Sequence, residues 1–338
     1  MTNPMECFGD SDDDDEVDKE ELAIERDPSC GVCCFHSNTE ASLLTHVRNS
    51  LESLSASSSS PSSPVADSDN RRKLRRAADV LHAIDTFCTS RHWMMHIGPE
   101  KGEILISVLK GALERKMNCT TSTTAPFIAV ELGTYCAYAS ILMGKVLYET
   151  MQHHAAVAMD CHLFTTEIDQ GYAKIAKEII QLSGMEDIIS LHEISYNGRD
   201  TDIVETVVDA ILRKNKTRSN YDNEQALSNI LPMIDFLFID HDKDAYKSDL
   251  CKLEASGMIR CGTRVVADNV LFASIDDYVQ YMQQRMELGV VDTRTILSHV
   301  EYSGETDNLH DGVGECACMH HMHSSFFNVA NVTQHSSF

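Results

Sequence analysis

Short apolar runs alternate with helical patterns along the middle of the chain. Five runs have the length of buried strands and are bounded by polar or turn residues. They are Phe127–Glu131, Leu163–Glu167, Ile188–His192, Ile234–Asp240 and Thr263–Asp268. Helical patterns lie between them, at Tyr138–Met151, Gln170–Leu182, Asp202–Arg213 and Lys247–Ser256. This alternation predicts an α/β fold, in which helices cover both faces of a doubly wound, mostly parallel sheet.

Two more helices are predicted before the first strand. Apolar residues recur at helical spacing from Leu74 to Phe87, and Glu100–Leu113 follows a proline that suits a first helical turn. We expect the folded domain to cover residues 69–311. Residues 1–68, acidic and then Ser-rich, are expected to be a disordered leader, and residues 312–338 a mobile tail rich in Cys and His.

Composition narrows the class of protein. The formal net charge is −24, so the chain would repel phosphate backbones, and nucleic acid is not expected as a partner. There is no apolar run of about 18 residues, which disfavours a membrane span. The first residues lack a secretory pattern, so the 12 cysteines indicate reduced thiols and a cytoplasmic protein. A monomer is favoured.

Three patterns have a functional and a structural interpretation. The basic run Arg71–Arg76 suits phosphate binding or nuclear targeting, but is more typical of a solvated helix start. Cys30 and Cys33 could share zinc with the tail, although two distant segments rarely do so. We expect Cys136 to be a small buried residue rather than a nucleophile.

Two strand ends indicate a cofactor that contains a nucleoside. Gly133 follows the first strand directly, which would let a ligand approach the backbone and the next helix N-terminus. Glu167 closes the second strand, where a carboxylate can accept hydrogen bonds from ribose hydroxyls. Asp169 is expected to cap the following helix. A nicotinamide dehydrogenase would share these features.

The next two strands end in oxygen donors. Asp240 closes the fourth run, and Asp268 and Asn269 close the fifth. Because parallel strands end at one edge of a sheet, these side chains should meet there, and hard oxygen donors suit Mg²⁺. Lys243 lies about one helical turn past Asp240, within reach of a hydroxyl bound at that site. A dehydrogenase gives no reason for this convergence.

Taken together, these motifs resemble those of catechol O-methyltransferases. The matching segments, in order, are Trp93–Gly98, Glu131–Cys136, Glu167–Ile168, Phe238–Tyr246, Val265–Val270 and Val300–Tyr302. The resemblance implies magnesium-dependent transfer of a methyl group from S-adenosylmethionine to one hydroxyl of a catechol-like small molecule. It also implies the methyltransferase variant of the doubly wound sheet, with seven strands and an antiparallel one near the edge.

The resemblance also implies roles for single residues. Asp240, Asp268 and Asn269 would hold magnesium, with Asn269 counted among the catalytic residues as well. Lys243 would be the general base, and Glu301 would bind the second catechol hydroxyl. The implied cofactor site consists of Met95, Ile97, Glu131, Gly133, Tyr135, Ala139, Glu167, Ile168, Ser195, Asp240 and His241.

Several positions depart from the family pattern. Ala137 and Ala139 replace a glycine and a serine, and Ser140 could substitute for the lost hydroxyl. Asp242 replaces a tryptophan, and Ala273 a proline of the catechol wall. The reaction class therefore follows more firmly than the substrate. Two alternatives stay open: another phenolic substrate, or a non-catalytic adaptor that keeps the fold.

Overall fold

Among the residues that the structure describes, three helices precede the sheet, and strands then alternate with helices. The computed structural model describes residues 38–57, 69–119, 125–153, 159–195, 203–218, 233–270, 275–298 and 325–332. The first helices are α1 (Thr39–Ser57), α2 (Asp69–Ser90) and α3 (Gly98–Asn118). The elements that follow are β1 (Phe127–Leu132), α4 (Tyr138–His153), β2 (Cys161–Glu167), α5 (Gln170–Ser183), β3 (Ile189–Glu193), α6 (Ile203–Arg218), β4 (Phe236–Ile239), α7 (Tyr246–Ala255), β5 (Arg264–Ala267), α8 (Asp276–Glu287), β6 (Val291–Ser298) and β7 (Ser325–Val332).

The strands form one seven-stranded sheet in the order β3-β2-β1-β4-β5-β7-β6. Strands β1 to β5 are all parallel, and β7 runs antiparallel to both β5 and β6. The predicted fold class is confirmed, including the antiparallel strand next to an edge. Because β1 to β5 are parallel, their carboxyl ends lie along one edge of the sheet, where ligands bind in folds of this kind.

Both faces of the sheet are covered, and successive strand residues point to opposite cores. Phe127 and Ala129 of β1 pack with residues of α1, α2, α4 and α5. Ile128 and Val130 pack with residues of α6, α7 and α8. Every residue of β1 is buried, which explains why this strand is a continuous apolar run rather than an alternating one.

Helix α3 is tied to the sheet by an ion pair at its C-terminal end. Lys116 Nζ lies 2.8 and 3.1 Å from the two carboxylate oxygens of Asp235, which directly precedes β4. Asp235 also accepts a hydrogen bond from the backbone N–H of Ile128 at 2.9 Å. This pair lies at the amino ends of the strands, opposite the edge where ligands are expected.

Two elements of the structure lie outside the predicted boundaries of the domain, 69–311. Helix α1 lies inside the expected disordered leader and buries Leu43 and Val47 completely. Strand β7 lies inside the expected mobile tail and pairs along its length with β6. In both places a few apolar residues are buried by contacts with distant parts of the chain. The other residues of the expected leader, and the Cys- and His-containing part of the tail, lie outside the described residues.

Candidate active site

The predicted metal ligands come together at the carboxyl edge of the sheet. Asp240 is the first residue after β4, and its backbone N–H donates to the carbonyl of Leu132 at 2.8 Å. Asp268 is the first residue after β5, and its N–H donates to the carbonyl of Ile239 at 3.1 Å. Asn269 follows in the left-handed region with φ of 56°, a conformation that asparagine tolerates.

Each of the two carboxylates has a lysine partner. Lys101 Nζ lies 2.8 and 2.7 Å from the two oxygens of Asp268, and neither residue is appreciably exposed. Lys243 Nζ donates to Asp240 Oδ1 at 2.9 Å. Burial raises the pKa of Asp240, Lys243 opposes that shift, and Asp268 adds to it. The site therefore holds two negative charges close together, and each is compensated by a cation of the chain.

The donor set fits a magnesium ion. In the part of the chain that the structure describes, no three His, Cys, Asp or Glu side chains are grouped to hold a metal. The predicted ligand set contains two residues of these types, Asp240 and Asp268, and its third member is an asparagine, Asn269. The ammonium of Lys101 lies 3.4 Å from Asn269 Oδ1 as well as against Asp268. Two of the three oxygen donors thus already converge on one positive charge, as a hard cation would require.

Lys243 is held in place by a buried tyrosine. It begins a single 3₁₀ turn, Lys243–Ala245, at whose start the side chain of Asp242 accepts from the backbone N–H of Asp244 at 3.2 Å. Its Nζ donates to the hydroxyl of Tyr246 at 2.6 Å. Burial raises the pKa of Tyr246 far above its ordinary value, so this hydroxyl stays protonated.

Gly133 brings the β1–α4 loop against the predicted metal edge. Its φ is +96°, and a Cβ at this position would lie 2.2 Å from the carbonyl oxygen of Asp240. The N–H groups of Gly133 and Thr134 both donate to the carbonyl of Thr166, at 3.1 and 3.0 Å. The loop therefore needs glycine for its backbone conformation and for its close approach.

The loop is also tied to the end of β2 by Glu167. Its Oε2 accepts from the N–H of Tyr135 at 2.7 Å, and its Oε1 accepts from the N–H groups of Ile168 and Asp169 at 2.9 Å. Burial raises the pKa of Glu167, and these three donors oppose the shift. Asp169 caps α5 by accepting from the N–H of Tyr172 at 2.8 Å, as predicted.

Glu131, the fifth residue of β1, is a buried carboxyl with one unpartnered oxygen. Its Oε2 accepts from Thr165 at 2.5 Å and from the hydroxyl of Ser140. Its Oε1 has no hydrogen-bond partner among the described residues. Burial raises the pKa of Glu131 to about 8. The hydroxyl of Ser140 is already engaged by Glu131, which argues against its taking over the role of the serine that Ala139 replaces.

The segment before α3 packs on the same loop. The ring of His96 lies 5.2 Å from that of Tyr135 and 5.5 Å from that of Tyr138, and burial lowers the pKa of His96 to about 3. Ile97 is buried, whereas Met95 is 47% exposed. This packing brings the predicted cofactor residues before α3 next to those that follow β1.

Other predicted cofactor residues lie around this edge. The N–H of Ile194 donates to the carbonyl of Glu167 at 2.8 Å, which places the exposed Ser195 beside the end of β2. Ile168 is exposed, and the buried Ala139 lies in the first turn of α4. The predicted residue Glu301, and Ala273 among the departures from the family pattern, lie outside the described residues.

His241 packs inside the site rather than at its open edge. Its Nε2 lies 3.0 Å from Asp249 Oδ2, and its ring stacks on that of Tyr246 with the planes 7° apart. Its Nδ1 is buried and has no hydrogen-bond partner among the described residues. The structure thus gives His241 a packing role.

Sequence patterns gave no role to Lys101 and Tyr246. Lys101 had a detectable signal, because a lysine in the first turn of a helix lies at the positive end of the helix dipole and needs a compensating partner. Tyr246 lies three residues after Lys243, a spacing that brings the two side chains to the same side of a helical turn. Cys136 is fully buried and burial raises its pKa well above the ordinary value, as expected for an unreactive thiol.

Sequence comparison finds relatives with a described activity. Catechol O-methyltransferase B of Danio rerio is 30% identical over 234 residues, which make up 69% of this chain and 71% of that protein. Catechol O-methyltransferase of Mus musculus is 27% identical over 234 residues, with the same two shares. That of Sus scrofa is 26% identical over 219 residues, 65% of this chain and 92% of that protein.

No family model matches the chain. The solved structure of the O-methyltransferase TomG from Streptomyces achromogenes, in complex with SAM, is 16% identical and covers 85% of this chain and 98% of its own length, with a TM-score of 0.45. None of the helices in the described ranges combines the length and the apolar character needed to cross a bilayer.

Proposed function

This chain belongs to the catechol O-methyltransferase family, and from that premise we propose that it methylates one hydroxyl of a catechol-like vicinal diol with S-adenosylmethionine. One observation carries the proposal. Asp240, Asp268, Asn269 and Lys243 lie together at the carboxyl edge of the sheet, and the glycine loop of Gly133 packs against the backbone of Asp240. A methyl donor and a chelated diol would have to meet at such a place.

The glycine loop and two carboxyls would bind S-adenosylmethionine. Glu167 Oε2 accepts a single hydrogen bond from the described residues, which leaves it capacity for a ribose hydroxyl. Glu131 Oε1 has no partner among these residues and could accept from the ammonium group of the cofactor. A buried, unpartnered oxygen is costly, and a bound donor would remove that cost.

Asp240, Asp268 and Asn269 are the residues that would hold Mg²⁺. Their carboxylate and amide oxygens are the donors that this ion prefers. When bound, the ion would supply positive charge that favours the ionised form of a phenol. The negative charges of Asp240 and Asp268 repel each other, and a bound cation would relieve that repulsion.

Lys243 would act as the general base. Hydrogen bonds to Asp240 and Tyr246 orient its amine and leave one of its three directions toward a substrate. In its neutral form the amine takes the proton from one hydroxyl. The oxygen would then bond to the methyl carbon of S-adenosylmethionine as the carbon–sulfur bond breaks, and the sulfur would leave as a neutral thioether. Alignment of the reactants can contribute up to ~7–11 kcal/mol to such a step.

Turnover of a substrate panel by the full chain tests this proposal. We expect methyl transfer to catechol and caffeate, and a rate at least about 100-fold lower for phenol, which cannot chelate. Equal rates for phenol and catechol would exclude a mechanism that needs a vicinal diol.

Calorimetry with S-adenosylmethionine separates the enzyme from a non-catalytic adaptor. The adaptor interpretation draws on Ala137 and Ala139, which replace small or polar family residues in the cofactor loop. Ala137 nevertheless adopts a left-handed conformation with φ of 67°, the region that favours the glycine of the family pattern. We therefore expect the cofactor to bind, and an absence of binding would contradict the enzymatic proposal as a whole.

A further inference from the structure

Lys101 occupies a place that disfavours a lysine in two ways. It lies in the first turn of α3, where the helix dipole is positive, and its side chain has no exposed surface. Burial of an ammonium group is costly unless a partner compensates it. The observed partner is Asp268, so the cost of burying Lys101 is offset by a predicted metal ligand.

The contacts of Lys101 cover the side of Asp268 that faces α3. Its Nζ contacts both carboxylate oxygens and lies 3.4 Å from Asn269 Oδ1. Asp268 Oδ1 accepts a second hydrogen bond, from the N–H of Asn269 at 2.7 Å. Among the described residues, Asp268 Oδ2 accepts from Lys101 and from no second donor. Asp268 thus keeps acceptor capacity for another cation although it is already paired.

Close packing of α3 delivers the lysine to this place. Gly102 follows Lys101, and a Cβ there would lie 3.0 Å from Cδ1 of Leu142 in α4. An alanine there would require the leucine side chain to shift by a few tenths of an ångström, so α3 packs closely on α4 at this point. The backbone that carries Lys101 therefore lies in a well-packed part of the domain.

A second pair on the same helix provides the contrast. Lys116 and Asp235 join the other end of α3 to the sheet with the same chemistry. The carboxylate of Asp235 also accepts a hydrogen bond from the N–H of Ile128. Neither Lys116 nor Asp235 is a predicted metal ligand. Ion pairs thus join both ends of α3 to the sheet. Of the two lysines, Lys101 is the one that contacts predicted metal ligands.

We propose that Lys101 is a built-in counter-ion of the metal site, an inference that rests on the proposed function. Lys101 positions Asp268 and compensates its charge while no divalent ion is bound. Once an ion binds, the ammonium remains beside it and repels it, because like charges in a poorly hydrated site interact strongly. Lys101 thereby keeps the affinity for the ion low, so that binding is readily reversible.

Binding of Mn²⁺ to the full chain, followed by the electron paramagnetic resonance of the free ion, tests this inference. We expect Lys101→Met, which keeps the length of the side chain but not its charge, to bind Mn²⁺ about tenfold more tightly or better. Lys101→Arg should stay within about threefold of the wild type because it keeps the charge. Lys116→Met, the matched control, should destabilise the fold and leave Mn²⁺ affinity unchanged.

The outcomes separate the two proposals. If the wild-type chain binds Mn²⁺ and Lys101→Met binds it equally or more weakly, the counter-ion role is wrong and the proposed function stands. If the wild-type chain binds no Mn²⁺, both fall. Should Lys101→Met be unfolded in a chelator, circular dichroism should show that Mn²⁺ restores its folded spectrum, since the ion supplies the missing charge. A variant that stays unfolded with Mn²⁺ present would overturn the inference.

Discussion

The amine of Lys243 donates to the hydroxyl of Tyr246 at 2.6 Å, and that hydroxyl donates in turn to the backbone carbonyl of Asp268 at 3.2 Å. Tyr246 therefore joins the proposed base, which follows β4, to the residue that follows β5. The tyrosine is fully buried, so these two contacts are not exchanged for water. The position of the base relative to Asp268 is thus linked through this side chain, in addition to the direct contact of Lys243 with Asp240.

Tyr246→Phe tests that link. The substitution removes the hydroxyl and keeps the ring, so Lys243 loses one of its two hydrogen bonds. We expect about a tenfold loss of turnover with unchanged affinity for S-adenosylmethionine, and a free energy of unfolding about 1–2 kcal/mol lower. Steady-state kinetics, calorimetry and urea unfolding give the three quantities.

A second tyrosine serves as the control. The hydroxyl of Tyr281 donates to Glu254, which lies eight residues after Tyr246 along α7, or about 12 Å. Tyr281→Phe should lower stability by a similar amount and leave turnover unchanged. Equal effects of both variants on turnover would show that the hydroxyl of Tyr246 has no special relation to Lys243.

Lys243 itself can be tested as a base rather than as a charge. Lys243→Met should reduce single-turnover methyl transfer at least about 100-fold, with cofactor affinity unchanged, because general-base catalysis is lost. Lys243→Arg should be as slow, since a guanidinium keeps its proton. Lys247→Met, one turn later and partly exposed, is the control. Near-normal turnover of the arginine variant would mean that the residue acts only by its charge.

The sequence predicted the order of strands and helices because each element had its own local pattern. The runs before Asp240 and Asp268 are apolar and end abruptly, which located both carboxylates and their common edge. Helix α1 and strand β7 could not be located in this way. Each lies in a segment of unusual composition, and its apolar residues are few until they are seen against α2, α5 or β6.

Within the site, the residues with recognisable motifs were found, and their partners were not. Lys101 reaches Asp268 across 167 positions of the chain, and no local pattern connects the two. The engagement of Ser140 by Glu131 likewise depends on how α4 packs on β1. Such pairings follow from tertiary packing, which neither propensity nor spacing encodes.

Gly133→Ala tests the close approach of the β1–α4 loop to Asp240. The added Cβ would lie 2.2 Å from the carbonyl oxygen of Asp240, in a backbone conformation that alanine disfavours. We expect the free energy of unfolding to fall by about 3 kcal/mol or more, and cofactor affinity to fall with it. Urea unfolding and calorimetry measure both.

Gly111→Ala in α3 is the matched control. No atom lies within 4 Å of a Cβ at that position, so alanine should leave stability unchanged or raise it by up to about 1 kcal/mol. If both glycine variants were equally stable, the loop would have room that the structure does not show.

The pKa of Glu131 predicts a pH dependence of stability. Its folded value of about 8 lies above the ordinary 4.5, so in this range the folded chain binds the proton that the unfolded chain releases. Stability from this group is therefore lost as the pH rises from about 5 to about 8, by on the order of 4 kcal/mol. Glu131→Gln should remove that loss.

Urea unfolding in a chelator, without cofactor, checks this prediction across the same pH range. Glu103→Gln, at an exposed position of α3, makes the same change of residue type and serves as the control. The wild-type and Glu103→Gln curves should fall together relative to Glu131→Gln. Three parallel curves would show that the carboxyl of Glu131 is not held protonated by burial.

We expect methyl transfer to depend on a divalent ion bound by the oxygens of Asp240, Asp268 and Asn269. The most direct measurement is the rate of methyl transfer to catechol in Mg²⁺, after complete chelation, and after Mg²⁺ is added back. We predict that chelation abolishes the rate, that Mg²⁺ restores it, and that Asp240→Asn fails to respond. An unchanged rate in the chelator would contradict the account.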